Sequence, residues 1–209
     1  MAVTVIDLLI RMRRHFAGGL NHKNPETAAE TRQVLALLPR FETLEEPVIP
    51  APATPPGLRP ALQAFFATHS DVLGGGWDGL ALALPWRYAW AVRADDPDLD
   101  RRMGWYEFVG PEAPIRCTDV CFGLMYLAAH THYRPHSHPA AEIYNAVAGS
   151  ASFSSGERQG LLSPGGMVFN RPDVIHELST VDEPLLLVYS WTGDLLSNAR
   201  WVEEPQGRA

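Results

Sequence analysis

The chain has 209 residues, of which 46% are apolar and 20% are charged, so it is neither disordered nor collagen-like and fits one domain with a helical addition. Its formal net charge of −7 argues against nucleic acid as a partner, because phosphate binding relies on clustered Lys and Arg. No apolar stretch approaches roughly eighteen residues, and the basic residues near the N-terminus follow the apolar run instead of preceding it. We therefore expect no membrane span, no signal peptide and a cytoplasmic location.

Residues 1–75 carry a helical pattern. Apolar side chains recur at helical spacing over residues 5–16, and the pattern then breaks at paired glycines. Asn24, followed by a proline, is typical of a helix start. Residues 47–56 contain five prolines and predict an extended connector, after which a third helix is expected over residues 58–68.

Residues 76–209 change to strands and turns. Short segments rich in Val, Tyr, Phe and Leu are separated by Gly, Pro, Ser or Asp: WYEFVG, CFGLMYLAAHTHY, EIYNAVAG, ASFSS, GMVFN and PLLLVYSW. Such segments without intervening helices indicate an antiparallel sandwich or barrel. We expect the N-terminal helices to pack on one side of this barrel, and Gly74-Gly75-Gly76 suggests a mobile lid over its mouth.

The segment from His136 to Tyr144 carries the chemistry. Side chains two apart in a strand share a face, so His136 and His138 are expected to point the same way. A turn at Pro139 would return the chain and place Glu142 and Tyr144 together on one face of the next strand. This arrangement predicts a cluster of two imidazoles and one carboxylate.

A third histidine and two small residues extend that cluster. Ala146 and Ala148 are expected to continue the face of Glu142 and to leave space beside it. His176 follows His138 by 38 residues, enough for one or two strands to return to the same place. Three imidazoles and one carboxylate suit Zn, Fe(II), Mn or Co. We therefore expect one divalent metal ion with these ligands: His136, His138, Glu142 and His176.

The spacing resembles two known groups of proteins. His-x-His-x3-Glu-x6-Gly, followed by Pro-Gly-Gly and His176, resembles the cupin superfamily. That resemblance implies a mainly β fold, the double-stranded β-helix or jelly-roll barrel, here with an α-helical N-terminal region. The longer pattern Tyr-x-x-His-x-His-x3-Glu-x-Tyr, with Trp191 fifteen residues after His176, resembles the cupin-type dimethylsulfoniopropionate (DMSP) lyases, and best of all the Q type.

The lyase resemblance implies a carbon–sulfur lyase that cleaves DMSP to dimethyl sulfide and acrylate by metal-assisted β-elimination. Tyr144 would be the general base, and the small zwitterionic carboxylate would contact Tyr133, His136 and Trp191. Because a carboxylate near the sulfonium end could compete for the metal, aromatic faces are expected to bind that end.

Two other classes fit the same ligand set. An Fe(II)-dependent cupin dioxygenase would need oxygen and would not need Tyr144 as a base. A small-ligand-binding cupin would bind without turnover. The nearby His130 and His132 are expected to lie outside the metal site, and the protein is expected to be a monomer or a homodimer.

Overall fold

The computed structural model describes residues 3–51, 54–55 and 57–202. Within these ranges the helices precede the barrel strands: α1 Val5–Phe16, α2 Pro25–Leu37, α3 Leu58–Thr68 and α4 Asp78–Ala83. The strands are β1 Met103–Gly110, β2 Ile115–Arg116, β3 Val120–Leu127, β4 His132–Ser137, β5 Ala140–Gly149, β6 Ala151–Ser155, β7 Arg158–Leu162, β8 Met167–Asn170, β9 His176–Ser179, β10 Leu185–Gly193 and β11 Arg200–Trp201. Part of the predicted connector, at positions 52, 53 and 56, lies outside the described residues.

Local sequence signals explain where the first two helices begin. The Thr4 side chain accepts from the Asp7 backbone N–H, and the Asp7 side chain accepts in return from the Thr4 N–H, so α1 starts with a capping box. Asn24 caps α2 in the predicted way, because its side chain accepts from two N–H groups of the first turn. The predicted helix over residues 58–68 is also confirmed.

Two sheets form the barrel. One has the strand order β2-β1-β3-β10-β5-β8 and the other has the order β11-β4-β9-β6-β7, and every pair except β1–β2 is antiparallel. On β10, Leu187 and Tyr189 face the interior between the sheets, whereas Leu186 and Val188 pack against the helices. The helices therefore cover the outer face of the six-stranded sheet. Strand β3 is buried at every residue because both of its faces are covered.

The glycine-rich loop after α3 is fixed to the first helix. Nη1 of Arg11 donates to the carbonyl oxygens of Leu73 at 3.1 Å and Gly75 at 2.7 Å. The interior cavity is lined elsewhere, by residues 89–91 and 195–201 among others. The structure thus does not place this loop as the lid that its glycines suggested.

A β-bulge corrects one expectation about β5. Leu186 pairs with Ala148 but Leu187 pairs with Ala146, so Val147 is an extra residue between them. An inserted residue reverses the alternation of side chains. Ala146 consequently faces the barrel interior, whereas Ala148 packs in the core beneath the helices, and the prediction that both share one face is wrong.

No helix in the described ranges is long and apolar enough to cross a membrane. The division of the chain at residues 75 and 76, the cytoplasmic location and the monomeric or homodimeric state stay predictions from the sequence.

Candidate metal centre

Three histidines from separate parts of the chain meet inside the barrel. His136 lies on β4, His138 lies in the turn before β5, and His176 begins β9. The register between β4 and β9 places His136 opposite His176. The backbone N–H of Asp173 donates to the carbonyl of His138 at 2.8 Å and so joins the turn that holds His138 to the turn that precedes His176. One ring nitrogen from each histidine lies within 4.8 Å of the other two.

Backbone carbonyls orient all three rings. The Nδ1 atoms of His136, His138 and His176 bond the carbonyl oxygens of Arg134 (2.8 Å), Ala140 (3.0 Å) and Val174 (2.8 Å). A carbonyl only accepts, so each Nδ1 carries the proton and each Nε2 of the neutral ring presents a lone pair. The Nε2 atoms of His136 and His176 are buried and make no hydrogen bond to any described residue. A divalent cation fits these atoms, since neutral imidazole with a bonded Nδ1–H is its usual ligand.

Glu142 lies beside this group and is held by two donors. Its Oε2 is 3.2 Å from His138 Nε2 and 3.1 Å from His176 Nε2, although His176 is not aligned for a hydrogen bond. Asn170 Nδ2 donates to Oε2 at 3.1 Å, and Trp191 Nε1 donates to Oε1 at 2.6 Å. The 4.8 Å group contains the three histidines and not Glu142. The histidines thus form the core of the centre, with the carboxylate at its side.

The charge balance of the centre favours a cation. Burial acts to raise the pKa of Glu142, but the neighbouring imidazoles of His138 and His176 outweigh it and hold that pKa well below its usual value. Burial, and then repulsion from His176, lower the pKa of His136, which leaves this ring neutral. Burial also acts to lower the pKa of His138, but Glu142 raises it overall. An ionised carboxylate therefore faces at least one neutral imidazole.

Two tyrosines adjoin the histidines. The Tyr144 side chain is buried, its hydroxyl makes no hydrogen bond to a described residue, and its ring centroid is 6.0 Å from that of His176. Burial, and then the charge of Glu142, raise the pKa of Tyr144 well above its usual value. The Tyr133 ring stacks on His136, with centroids 4.0 Å apart.

A cavity of about 550 Å³ opens beside the centre. Three residues predicted from the sequence contribute to its wall: Tyr133, Glu142 and Trp191. The histidines and Tyr144 are buried and do not belong to the described lining of the cavity. His132 is also separate from the centre, since its Nε2 lies 2.7 Å from Oε2 of Glu177.

Comparison with known proteins identifies the family. A sequence profile of the dimethylsulfoniopropionate lyases matches residues 77–187, more than half of the chain. The chain belongs to the dimethylsulfoniopropionate lyase family. The predicted resemblance is thereby confirmed, and so is the assignment as a lyase.

Two named lyases show how far the similarity extends. Dimethylsulfoniopropionate lyase DddQ of Ruegeria pomeroyi is 28% identical over 175 residues, which cover 80% of this chain and 86% of that protein. The putative dimethylsulfoniopropionate lyase DddL of Cereibacter sphaeroides is 36% identical over 97 residues, which cover 46% of this chain and 40% of that protein.

Solved structures support the fold. The crystal structure of DddQ from R. pomeroyi has a TM-score of 0.58 at 26% identity and covers 93% of this chain and 99% of its own. A structure described with the DMSP lyases RdDddP and RnDddQII has a TM-score of 0.67 at 22% identity and covers 94% of this chain and 96% of its own. The predicted cupin barrel with an α-helical N-terminal region is confirmed.

Several residues of this lyase's site were not predicted from the sequence. Trp90 and Trp201 stack on each other beside Tyr133 and His136, with indole centroids 3.8 Å apart. Asn170 pairs with Glu142 across β8 and β5, so an alignment of those two strands would have found it. The cavity wall also contains further side chains from the six-stranded sheet: Trp105, Glu107, Met125 and Tyr189.

Proposed function

We propose that this family member cleaves dimethylsulfoniopropionate to dimethyl sulfide and acrylate, with Tyr144 as the general base. One juxtaposition carries the proposal: the ring of Tyr144, a buried tyrosine whose hydroxyl has no described hydrogen-bond partner, lies 6.0 Å from that of His176, one of three histidines whose ring nitrogens converge. The similarity to DddQ over 80% of the chain supports the choice of substrate.

The proposed ligands of one Zn, Fe(II), Mn or Co ion are His136, His138, Glu142 and His176. Trp191 and Asn170 hold the two oxygens of Glu142, which limits rotation of the carboxylate. When bound, the ion supplies a Lewis-acidic positive charge that attracts the substrate carboxylate and acidifies the adjacent C–H bond.

Tyr144 receives the proton in the proposed reaction. The phenolate oxygen takes it from the carbon next to the carboxylate, and the electrons of that C–H bond form the carbon–carbon double bond of acrylate. The C–S bond breaks, and its electron pair leaves on neutral dimethyl sulfide. Burial and Glu142 raise the pKa of Tyr144, so this phenol becomes a base only when positive charge at the centre offsets both effects.

Aromatic side chains suit the sulfonium end of the substrate. Tyr133 and Trp191 line the cavity, and the stacked pair Trp90 and Trp201 adjoins them. A cation over such a ring gains about 0.5–2 kcal/mol per contact. His136 supports this wall from behind, because its ring stacks on Tyr133.

The test is headspace gas chromatography for dimethyl sulfide under anaerobic conditions. Metal-loaded wild-type protein is compared with Tyr144→Phe, His176→Ala and Tyr106→Phe. Tyr106 is a matched control, because its hydroxyl is also buried without a partner but lies in the core under the helices.

We expect gas from the wild type and from Tyr106→Phe, and a loss of about 10²–10⁴-fold in Tyr144→Phe, the usual contribution of a general base. Metal content measured on the same samples separates loss of the base from loss of the ion. No gas with any of the four metals would refute the lyase, and a requirement for oxygen would favour a dioxygenase.

A further inference from the structure

Glu107 is an acidic side chain in the cavity that the proposed reaction does not use. It lies on β1 and lines the same cavity as Trp191. Strand pairing aligns Glu107 with Gly123 of β3, Tyr189 of β10 and Tyr144 of β5 in one row. The strand order makes Glu107 and Tyr144 three strand spacings apart, or ~14 Å along the curved sheet. The carboxyl therefore lines the cavity three strands away from Glu142 and Tyr144 in the same sheet.

Neighbouring side chains fix this carboxyl in place. A Cβ on Gly123 would overlap the carbonyl oxygen of Tyr106 and lie 2.8 Å from Cε1 of Tyr189, so a glycine is needed for the β1 backbone and the Tyr189 ring to lie this close together beside Glu107. Burial raises the pKa of Glu107, while hydrogen bonding with the Cys121 thiol and with Tyr189 acts in the opposite direction. The Glu107 carboxyl is therefore partly buried in the cavity wall, beside Cys121 and Tyr189.

Glu107 lacks a close cationic partner. No ion pair within 4.0 Å includes it in the described part of the chain. The charge of Arg87 lowers its pKa, but this effect is smaller than that of burial, and Arg87 is exposed. A desolvated carboxylate without an ion-pair partner gains from any cation that enters the cavity.

We propose that Glu107 is the anionic subsite for the onium group of the substrate, an inference that rests on the proposed function. A sulfonium has no N–H to donate, so its recognition is Coulombic and needs only a carboxylate among aromatic rings. Trp105 and Tyr189 supply such rings next to Glu107. They line the same cavity as Tyr133 and Trp191, so the carboxyl adds a charge to that aromatic wall. Because Glu107 lies three strands from Glu142, its carboxylate is too far away to compete for the metal. The substrate class is then a zwitterion with a carboxylate at the metal and a compact onium group at Glu107.

The test uses ligands that differ only in charge at that end. Dimethylsulfonioacetate is a zwitterion that cannot undergo β-elimination, because its sulfur is attached to the carbon next to the carboxylate. Its neutral-tail isostere is 3-methylbutanoate. Isothermal titration calorimetry on the metal-loaded protein measures both ligands against wild type, Glu107→Gln and Glu112→Gln. Glu112 is the matched control, because its side chain is 82% exposed and pairs with Arg116 at 3.4 Å outside the cavity.

We expect Glu107→Gln to lower the affinity for the zwitterion by about tenfold, an effect between those of exposed and buried charge pairs. The affinity for the isostere should not change. Glu112→Gln should change neither. Equal effects on both ligands, no effect on either, or no binding of the zwitterion to the wild type would overturn the subsite.

These outcomes are distinct from those for the lyase. If Glu107 discriminates charge but DMSP yields no dimethyl sulfide, the onium subsite stands and the proposed reaction fails. If dimethyl sulfide is released while Glu107→Gln binds both ligands like the wild type, the reaction stands and the subsite fails.

Discussion

The indole Nε1 of Trp191 donates a 2.6 Å hydrogen bond to Oε1 of Glu142. The same indole lies against the ring of His138, with centroids 4.2 Å apart. The sequence resemblance implied only contact with the substrate for Trp191. The structure adds a second contact, because this side chain orients the carboxylate that adjoins the three histidines.

Replacing Trp191 by Phe should therefore weaken metal binding. The variant keeps an aromatic ring but removes the donor to Glu142, and loss of such an outer hydrogen bond usually costs about 10–100-fold in metal affinity. Titration against a fluorescent chelator measures the affinity. Trp105→Phe is the control, because Trp105 lines the same cavity and donates no hydrogen bond to Glu142 among the described contacts. Equal affinities in the two variants would contradict the orienting role.

Metal removal should lower thermal stability. A ligand that binds only the folded state adds about 2.7 kcal/mol when its concentration is 100 times Kd, or roughly 5–10 °C in a protein of this size. Differential scanning calorimetry with Zn and then with excess chelator measures the difference. His176→Ala removes one Nε2 and should abolish most of it. His132→Ala should preserve it, since His132 pairs with Glu177. A metal-dependent shift that survives in His176→Ala would argue against this centre.

Tyr144→Phe should separate function from stability. The hydroxyl of Tyr144 is buried without a partner, so its removal eliminates an unsatisfied polar group and leaves the ring in place. We expect an unchanged or slightly higher melting temperature and unchanged metal content, together with the loss of activity predicted above. A drop of more than about 5 °C would indicate that the hydroxyl has a structural partner, because it corresponds to over about 1 kcal/mol.

The local part of the centre was predictable because strand periodicity and one turn determine it. Glu142 and Tyr144 share the inner face of β5, as their spacing of two predicts. The same reasoning failed for Ala148, because a bulge at Val147 adds a residue that no local pattern indicates.

The distant part of the site depends on strand order, which the local pattern does not contain. Glu107 enters the cavity because β1 lies three strands from β5 in the same sheet. Trp201 reaches Trp90 because β11 pairs with β4 and brings the end of the described chain across the cavity. Neither position is near the histidine motif in sequence, so the sequence alone predicted that the three histidines meet and did not predict the rest of the cavity wall.

Glu107→Gln should stabilise the protein at neutral pH. The folded-state pKa of Glu107 is raised by burial above the value of about 4.3 in an unfolded chain, so the folded state favours the protonated form. The stability that protonation contributes is complete below pH ~4 and is lost as the pH rises through the raised pKa. Gln mimics the protonated acid at every pH, so the variant should melt above wild type at pH 7 and at the same temperature as wild type at pH 4.

Thermal melts at pH 4 and pH 7 measure this difference, with Glu112→Gln as the exposed control. A melting temperature below that of wild type at pH 7 would mean that the ionised carboxylate already has a stabilising partner in the folded protein. A higher melting temperature of Glu107→Gln at pH 7, but not at pH 4, is expected if Glu107 binds a cation. The charge that attracts the cation costs stability while the cation is absent.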